Sequence, residues 1–379
     1  GSEMCIRDRF KDKQKIFLAN TNPAVENLRR KVTAEHAEFV TITKFLSKDV
    51  SNDCDILCLD ECSTISNRDM VRVLQRAQCK LLVLVGDIYQ IESILFGNWF
   101  NIAYKVMPKD SVAELTRPHR TTVQGLIEVW NKVREITEDR LEFITRNGLS
   151  STLDESIFSR TEEDEIVLCL NYDGIYGINN INKFLQSNNV NPSINWGVLS
   201  YKVGDPVLFN ESNRFAPLVY NNLKGKILQI EEEEDCIYFT IEVYTVLNEL
   251  DVIGFDLELK ESVTDETSVI RFKVGRGGDG NDDNDNVENV VPFQVAYAIS
   301  IHKAQGLEYE SVKVVITSEI EEMVSHNIFY TAITRAKSKL KIYWSPETEK
   351  RILENMKVQF NDKDYQLFKA KYKEALLKS

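Results

Sequence analysis

The sequence predicts two α/β domains built on parallel sheets, the second interrupted by a small β barrel. Three observations carry that expectation. From Lys15 onward, wholly apolar strand-like runs alternate with helical spacings, which suits a parallel sheet covered on both faces. Residues 202 to about 274 change character and read as short strands with turn signals. After the glycine-rich run Gly275-Arg276-Gly277-Gly278-Asp279-Gly280 and the Asn/Asp tract behind it, the α/β alternation resumes.

The elements follow in order. Residues 1–14 carry no periodic pattern up to Arg9 and are read as a tag or non-native leader. Lys15-Ile16-Phe17-Leu18-Ala19 is the first strand, and Asp55 to Leu59 is a buried one. Asn67 to Gln78 spaces Met70, Leu74 and Ala77 as a helix does, with Asn67 as its cap. Leu81 to Val85 is the next strand, completing a first, partial domain over 15–114. The second α/β domain, 115–201 and 291–345, starts with a long amphipathic helix around Val123 to Ile144. A strand at Ile166 to Leu170, a helix near Ile178 to Gln186, and strands at Gln294 to Ile301, Val312 to Thr317 and Leu340 to Trp344 follow. The inserted barrel and its flexible loop occupy 202–290, with strands at Pro206 to Phe209, Ile227 to Ile230, Ile237 to Val243 and Val269 to Val274. Residues 346–379 form a helical tail.

Composition narrows the class. Of 379 residues, 43% are hydrophobic and 28% charged, a globular balance that excludes disordered, collagen-like and coiled-coil chains. The longest stretch without Asp, Glu, Lys or Arg, Phe184 to Tyr201, is rich in Asn and Ser and cannot span a membrane. Seven scattered cysteines give no disulfide framework and suit a reducing cytoplasm, the expected location. A net charge of −13 excludes a simple basic nucleic-acid module, though not a local basic groove.

Several polar groups end apolar strands, where parallel sheets bind ligands. Asp60-Glu61 closes the run Asp55 to Leu59 and fits either a plain acidic edge or a pair that holds Mg²⁺ and activates water. Gly86-Asp87-Ile88-Tyr89-Gln90 closes the next strand, as a turn or as a glutamine sensing phosphate. Arg117-Pro118-His119-Arg120 and Arg335 are phosphate-clamp candidates, and Arg335 also fits a helix-end charge. Ser300-Ile301-His302-Lys303 offers donors to a nucleic-acid backbone. Successive members of the series Cys54, Cys58 and Cys62 would lie about 13 Å apart in a strand, too far for one metal ion. The acidic run Glu231 to Asp235 reads as a solvated hairpin turn.

Taken in order, these segments resemble superfamily 1 helicases of the RecD-like branch, over roughly Lys15 to Trp344. Ala19-Asn20-Thr21-Asn22-Pro23-Ala24-Val25 resembles the single-stranded-DNA motif of the first RecA-like domain, implicating Thr21 and Asn22. Leu59-Asp60-Glu61 is similar to the Mg²⁺ and water-activating motif, and Val85 to Gln90 to the motif whose glutamine senses the γ-phosphate. Leu115 to Arg120 and Tyr330 to Lys337 resemble the motifs whose arginines, here Arg120 and Arg335, reach that phosphate. Tyr297 to Glu308 implies that Ser300, His302 and Lys303 contact nucleic acid while Gly306 and Glu308 lie by the nucleotide. Cys169 to Asn182 resembles a strand-to-helix DNA contact and implicates Asn171 and Tyr172. Val203-Gly204-Asp205-Pro206-Val207 opens what resembles the branch's SH3-like barrel.

Two departures stand out. No Gly-x-x-x-x-Gly-Lys-Ser/Thr phosphate loop is present, and Gly225-Lys226 continues into Ile227 inside the barrel segment. Family order places that loop upstream of Ala19, so the expectation is a chain that begins inside the first RecA-like domain and hydrolyses ATP barely. Ile91-Glu92-Ser93-Ile94 also stands where the family often has Pro-Pro. The resemblance implies two RecA-like domains, ATP and Mg²⁺ as cofactors, and single-stranded DNA or single/double-strand junctions as partners. It implies 5′-to-3′ motion. The alternatives are an RNA-translocating relative, or a nucleic-acid-binding scaffold that has lost its ATPase.

Overall fold

The computed structural model describes residues 10–47, 52–91, 97–115, 120–210, 214–216, 218–262, 264–276, 289–357 and 362–378. Arg117-Pro118-His119, Glu92-Ser93-Ile94, residues 1–9 of the expected leader and most of the glycine-rich run lie outside them. The chain forms two compact units: Gly1–Leu149 with Glu321–Ser338 and Pro346–Ser379, and Ser150–Ile320 with Lys339–Ser345.

The first unit is built on a four-stranded sheet of β1 (Lys15–Ala19), β2 (Ala37–Thr41), β3 (Asp53–Leu59) and β4 (Gln78–Leu84), in the order β2-β1-β3-β4. All three pairings are parallel, as the apolar runs predict. β4 departs from the expectation of a strand covered on both faces: it is a sheet edge, and Leu81 is 42% exposed. Helices α1 (Asn22–Lys31), α2 (Ile42–Leu46), α3 (Asn67–Arg76) and α4 (Trp99–Val106) accompany the sheet. The core joins Leu18, Phe45, Leu57, Leu59, Ile65 and Val73. The cap of α3 is Ser66, one residue earlier than expected, because its Oγ accepts the Asp69 N–H at 3.0 Å. The expected long helix is two, α5 (Gln124–Glu135) and α6 (Arg140–Arg146). Ile136 breaks it with φ 54°, and the Arg140 guanidinium holds the turn by donating to the carbonyls of Ile136 at 3.3 Å and Thr137 at 2.6 Å.

The second unit carries two principal sheets. β5 (Ser150–Ser151) and β6 (Glu165–Cys169) lie in a five-stranded sheet, and α7 (Ile178–Ser187) follows β6. The hairpin β7 (Ser193–Trp196)–β8 (Leu199–Lys202) leads into β9 (Pro206–Phe209), β10 (Lys224–Glu232), β11 (Cys236–Val243), β12 (Glu258–Lys260) and β13 (Ser268–Gly275). With β14 (Phe293–Val295), the strands β9 to β13 form a six-stranded sheet, ordered β12-β13-β11-β10-β9-β14, and every pairing in it is antiparallel. Phe209, Phe239, Phe272 and Phe293 pack together in its core. The acidic run is the β10–β11 hairpin as expected, and Arg271 pairs with Glu231 at 2.6 Å.

The expected single strand Gln294 to Ile301 is two. β14 ends at Val295 on the antiparallel sheet, and β15 (Ala298–Ser300) begins a strand of the parallel one. The chain changes sheets at Ala296-Tyr297. β16 (Tyr309–Val315) and β17 (Ala336–Tyr343) complete the order β15-β6-β16-β17-β5. Asp205, fully buried, ties this junction: it accepts hydrogen bonds from Gln186 Nε2 at 2.6 Å, Asn189 Nδ2 and the Lys202 N–H at 2.9 Å, and the Tyr297 hydroxyl at 2.8 Å.

Helix α8 (His326–Ile333), expected in the second α/β domain, packs with the first unit. Trp130 Nε1 donates to the Ile333 carbonyl at 3.0 Å and His326 Nε2 to the Val133 carbonyl at 2.9 Å, so α5 and α8 are bonded at both ends of α8. α9 (Pro346–Asn355) and α10 (Asp362–Lys378) close the first unit. Among the described residues no helix is long and apolar enough to cross a membrane.

Candidate functional site

In the first unit the acidic pair follows directly from strand pairing. The Asp60 N–H donates to the Leu18 carbonyl at 2.8 Å, extending the sheet by one residue. Glu61 then turns out of the strand in the left-handed conformation, φ 50° and ψ 40°, an uncommon geometry for a residue with a side chain. The turn is held by the Glu61 N–H on Asp60 Oδ1 at 2.8 Å and by the Thr64 hydroxyl on the Glu61 carbonyl at 2.9 Å. Next to it, the Cys62 N–H reaches the Val85 carbonyl at 2.9 Å. Gly86 must therefore lack a Cβ, which would stand 2.8 Å from the Phe100 ring and 3.1 Å from the Cys62 backbone nitrogen. The motif glycine is explained by this close approach.

Burial pushes both carboxyls up. Glu61 rises to about 7, chiefly because it is shielded from water and secondarily because Asp60 is adjacent. Arg335 and Arg120 pull it back down. Asp60 is raised by burial, against the opposing pull of the Glu61 N–H and of Lys31. The site is thus a shielded acidic pair under the field of two arginines, all in one unit. The sequence reading put the arginines on a second domain; the packing of α8 on α5 is why they share this one.

Arg335 is buried, 1% exposed. Its Nε donates to the Thr331 carbonyl at 2.9 Å and its guanidinium to Thr334 Oγ1 at 3.3 Å, so it also satisfies the end of α8, the alternative its position suggested. Arg120 is bonded to the Thr334 carbonyl. Gln90 sits on a tight turn, its N–H donating to the Asp87 carbonyl at 3.2 Å and its Nε2 to Asp87 Oδ2 at 3.2 Å. Two residues of α8 hold that turn. Asn327 Nδ2 donates to the Gln90 carbonyl at 2.9 Å, and Thr331 Oγ1 accepts the Ile91 N–H at 3.0 Å. Sequence reasoning missed both, because neither is a charged or catalytic residue type. The only signal was their spacing of four, which puts them on one helix face.

At the amino end of α1, Thr21 is the cap, accepting the Ala24 N–H at 3.4 Å, and Asn22 is exposed. Asn20 Nδ2 donates to the Thr64 carbonyl at 3.0 Å, which places the Asn20-Thr21-Asn22 run beside the Glu61 turn.

The other predicted residues lie in the second unit, on two neighbouring strand ends. β15 pairs with β6 in parallel, Ser300 opposite Cys169, so the Ser300–Glu308 loop and the Asn171–Gly177 loop leave the sheet side by side. Tyr172 is 51% exposed and His302 is also exposed. Ser300 is buried, with its Oγ accepting the Lys303 N–H at 3.2 Å, and Lys303 Nζ donates to Gln294 Oε1 at 3.0 Å. Asn171 Nδ2 folds back onto the Asp173 carbonyl at 2.9 Å. Gly306 takes φ 76° where the loop bends toward Glu308. Asn182 of α7 completes the edge of β15, accepting the Ala298 N–H and donating to the Ala298 carbonyl, both at 2.9 Å. Among the described residues no group of three or more His, Cys, Asp and Glu side chains could hold a metal ion.

Residues 295–343 match the UvrD-like helicase C-terminal domain family, and residues 8–154 match an AAA domain family. The RecBCD enzyme subunit RecD of Mycolicibacterium smegmatis is 22% identical over 336 residues, 80% of this chain and 52% of that protein. An uncharacterized protein of Methanocaldococcus jannaschii is 24% identical over 354 residues, 78% of this chain and 29% of that protein. The chain therefore spans about half or less of these relatives. The crystal structure of the Pif1 helicase from Candida albicans superposes with a TM-score of 0.51 at 16% identity, covering 93% of this chain and 90% of that one, a likeness of fold.

Proposed function

Because the chain belongs with the RecD-like branch of the superfamily 1 helicases, we propose that it is the motor part of an ATP-driven DNA helicase or translocase. The observation that carries this reading is the turn at the end of β3, where Glu61 bonds Asp60 Oδ1 through its N–H at 2.8 Å and shares one unit with Arg120 and Arg335, whose charges oppose the burial that raises its carboxyl to about 7. A general base works best when its acid strength matches the working pH. In this reading Glu61 takes a proton from the attacking water, Gln90 orients toward the γ-phosphate, and Arg120 and Arg335 stabilise the charge developing on the transferred group.

A divalent cation fits the acidic pair by its donor chemistry, since two adjacent carboxyls at the end of β3 offer the oxygen ligands such an ion takes and its charge would offset their burial. Asp60 would hold Mg²⁺ through water, and the ion would neutralise the β- and γ-phosphate oxygens when bound. Gly306 and Glu308 lie in the second unit, on the loop that follows β15. Hydrolysis also needs a phosphate loop, which these 379 residues do not contain, so the chain alone turns ATP over slowly.

The strand-end loops of the second unit, with exposed Tyr172 and His302, suit a single-stranded backbone with bases stacked on an aromatic ring. Ser300, Lys303 and Asn171 shape these loops, and Thr21 and Asn22 offer a further contact in the first unit. The six-stranded antiparallel sheet is read as an SH3-like insertion. Movement is 5′-to-3′, in the cytoplasm.

The test is phosphate release at high chain concentration with single-stranded DNA, with RNA, and with neither. DNA should stimulate release at least about fivefold more than RNA. Stronger stimulation by RNA would replace DNA as the track, and no release under any condition, with tight nucleic-acid binding retained, would make the chain a scaffold.

A further inference from the structure

Gln90 C=O and Ile91 N–H are the two ends of one peptide group, and α8 grips both. Asn327 donates to the carbonyl at 2.9 Å and Thr331 Oγ1 accepts the N–H at 3.0 Å. A peptide group is planar and stiff, so holding its two ends fixes the backbone that aims the Gln90 side chain. Thr331 is fully buried, and its carbonyl accepts Arg335 Nε at 2.9 Å. One residue thus bonds the Gln90 turn through its hydroxyl and the Arg335 guanidinium through its carbonyl. Tyr89, on the same turn, sets its ring edge-on to His326 and Tyr330 of α8 at 6.1 Å each. Simple filling of space would not require a hydroxyl at 331, since a methyl would pack there as well.

We propose that Thr331 and Asn327 are positioning residues that join the Gln90 turn and the Arg335 guanidinium into one piece, so that both engage or release a terminal phosphate together. This rests on the nucleotide reading above. Its consequence is selectivity: a nucleoside triphosphate meets both groups at once, whereas a diphosphate meets neither fully.

The experiment combines hydrogen exchange at the Ile91 amide with the ratio of Mg·ATP to Mg·ADP affinity, measured by displacement of a fluorescent nucleotide. Thr331→Val, nearly isosteric, should speed Ile91 exchange about tenfold and cut the preference for ATP at least about fivefold. Thr331→Ser keeps the hydroxyl and should restore both to within about twofold. Asn327→Ala should move both readouts in the Thr331→Val direction, and it decides the matter if Thr331→Val does not fold. Unchanged exchange in Thr331→Val overturns the clamp. Faster exchange with an unchanged ATP preference reduces Thr331 to a structural residue and also overturns the proposal. If the unaltered chain shows no preference for ATP, the nucleotide reading fails instead, and the coupling to phosphate falls with it while exchange still decides the clamp.

Discussion

Arg335 acts on Glu61 across the fold: its guanidinium, held to the end of α8, lowers a carboxyl that burial has pushed up to about 7. The two forces oppose each other, and burial wins. A carboxyl whose folded pKa lies above its unfolded value binds more protons in the native state between the two. Stability must therefore fall as pH rises from about 4.5 to about 7, because ionising Glu61 costs more in the fold than in the unfolded chain. Glu61→Gln should remove that slope and stabilise the protein by about 1–3 kcal/mol at pH 8 while changing little at pH 4. Urea denaturation of both forms at the two pH values checks this, and an equal effect at both would contradict it.

Gly86→Ala should destabilise by about 1–3 kcal/mol, since the added methyl must displace either the Phe100 ring or the Cys62 backbone. The loss should be accompanied by altered near-ultraviolet dichroism from Trp99, whose ring packs edge-on against Phe100. A melting temperature within about one degree of the unaltered chain would show the approach to be looser than described.

Asp205→Ala should cost the second unit roughly 2–4 kcal/mol, because the buried Tyr297 hydroxyl and three half-buried donors lose an acceptor at once. Tyr297→Phe removes one of the four and should cost about 1–2 kcal/mol. Chemical denaturation followed by tryptophan fluorescence measures both, and the ranking is the prediction. Equal costs would mean the hydroxyl alone matters.

Tyr172→Ala should weaken single-stranded DNA binding by roughly fivefold to a hundredfold, the range expected for losing one stacked base, with little change in the salt dependence. His302→Ala, removing a backbone donor, should weaken binding less. Fluorescence anisotropy at several salt concentrations separates the two. Unchanged affinity in Tyr172→Ala would remove this loop from the interface.

Much of this was legible because local pattern and final structure agreed. The run Ile16 to Ala19 is wholly apolar and lies in a strand with another on either side, and Pro206 to Phe209 is a strand to the residue. Asp60 and Glu61 could be placed at a strand end, and Gln90 on the turn beyond the next one, because apolar runs lead up to them. What escaped the reading depends on partners far away in sequence. Gln294 to Ile301 looks like one strand, since nothing local reveals that Ala296 and Tyr297 pass from one sheet to another under the pull of Asp205. The helix over Val123 to Ile144 breaks at Ile136, a residue with no breaker chemistry, whose turn is secured by Arg140. The assignment of α8 to the first unit rests on Trp130 and His326, two contacts that no periodicity encodes.

Phosphate release from Mg·ATP, with and without single-stranded DNA, by the unaltered chain, Glu61→Gln and Arg335→Ala tests the nucleotide site most directly. The unaltered chain should show slow release that DNA accelerates, and each substitution should lower it by at least about tenfold. Release that persists at the original rate in Glu61→Gln and Arg335→Ala would contradict the assignment of this acidic pair and its arginines to ATP hydrolysis.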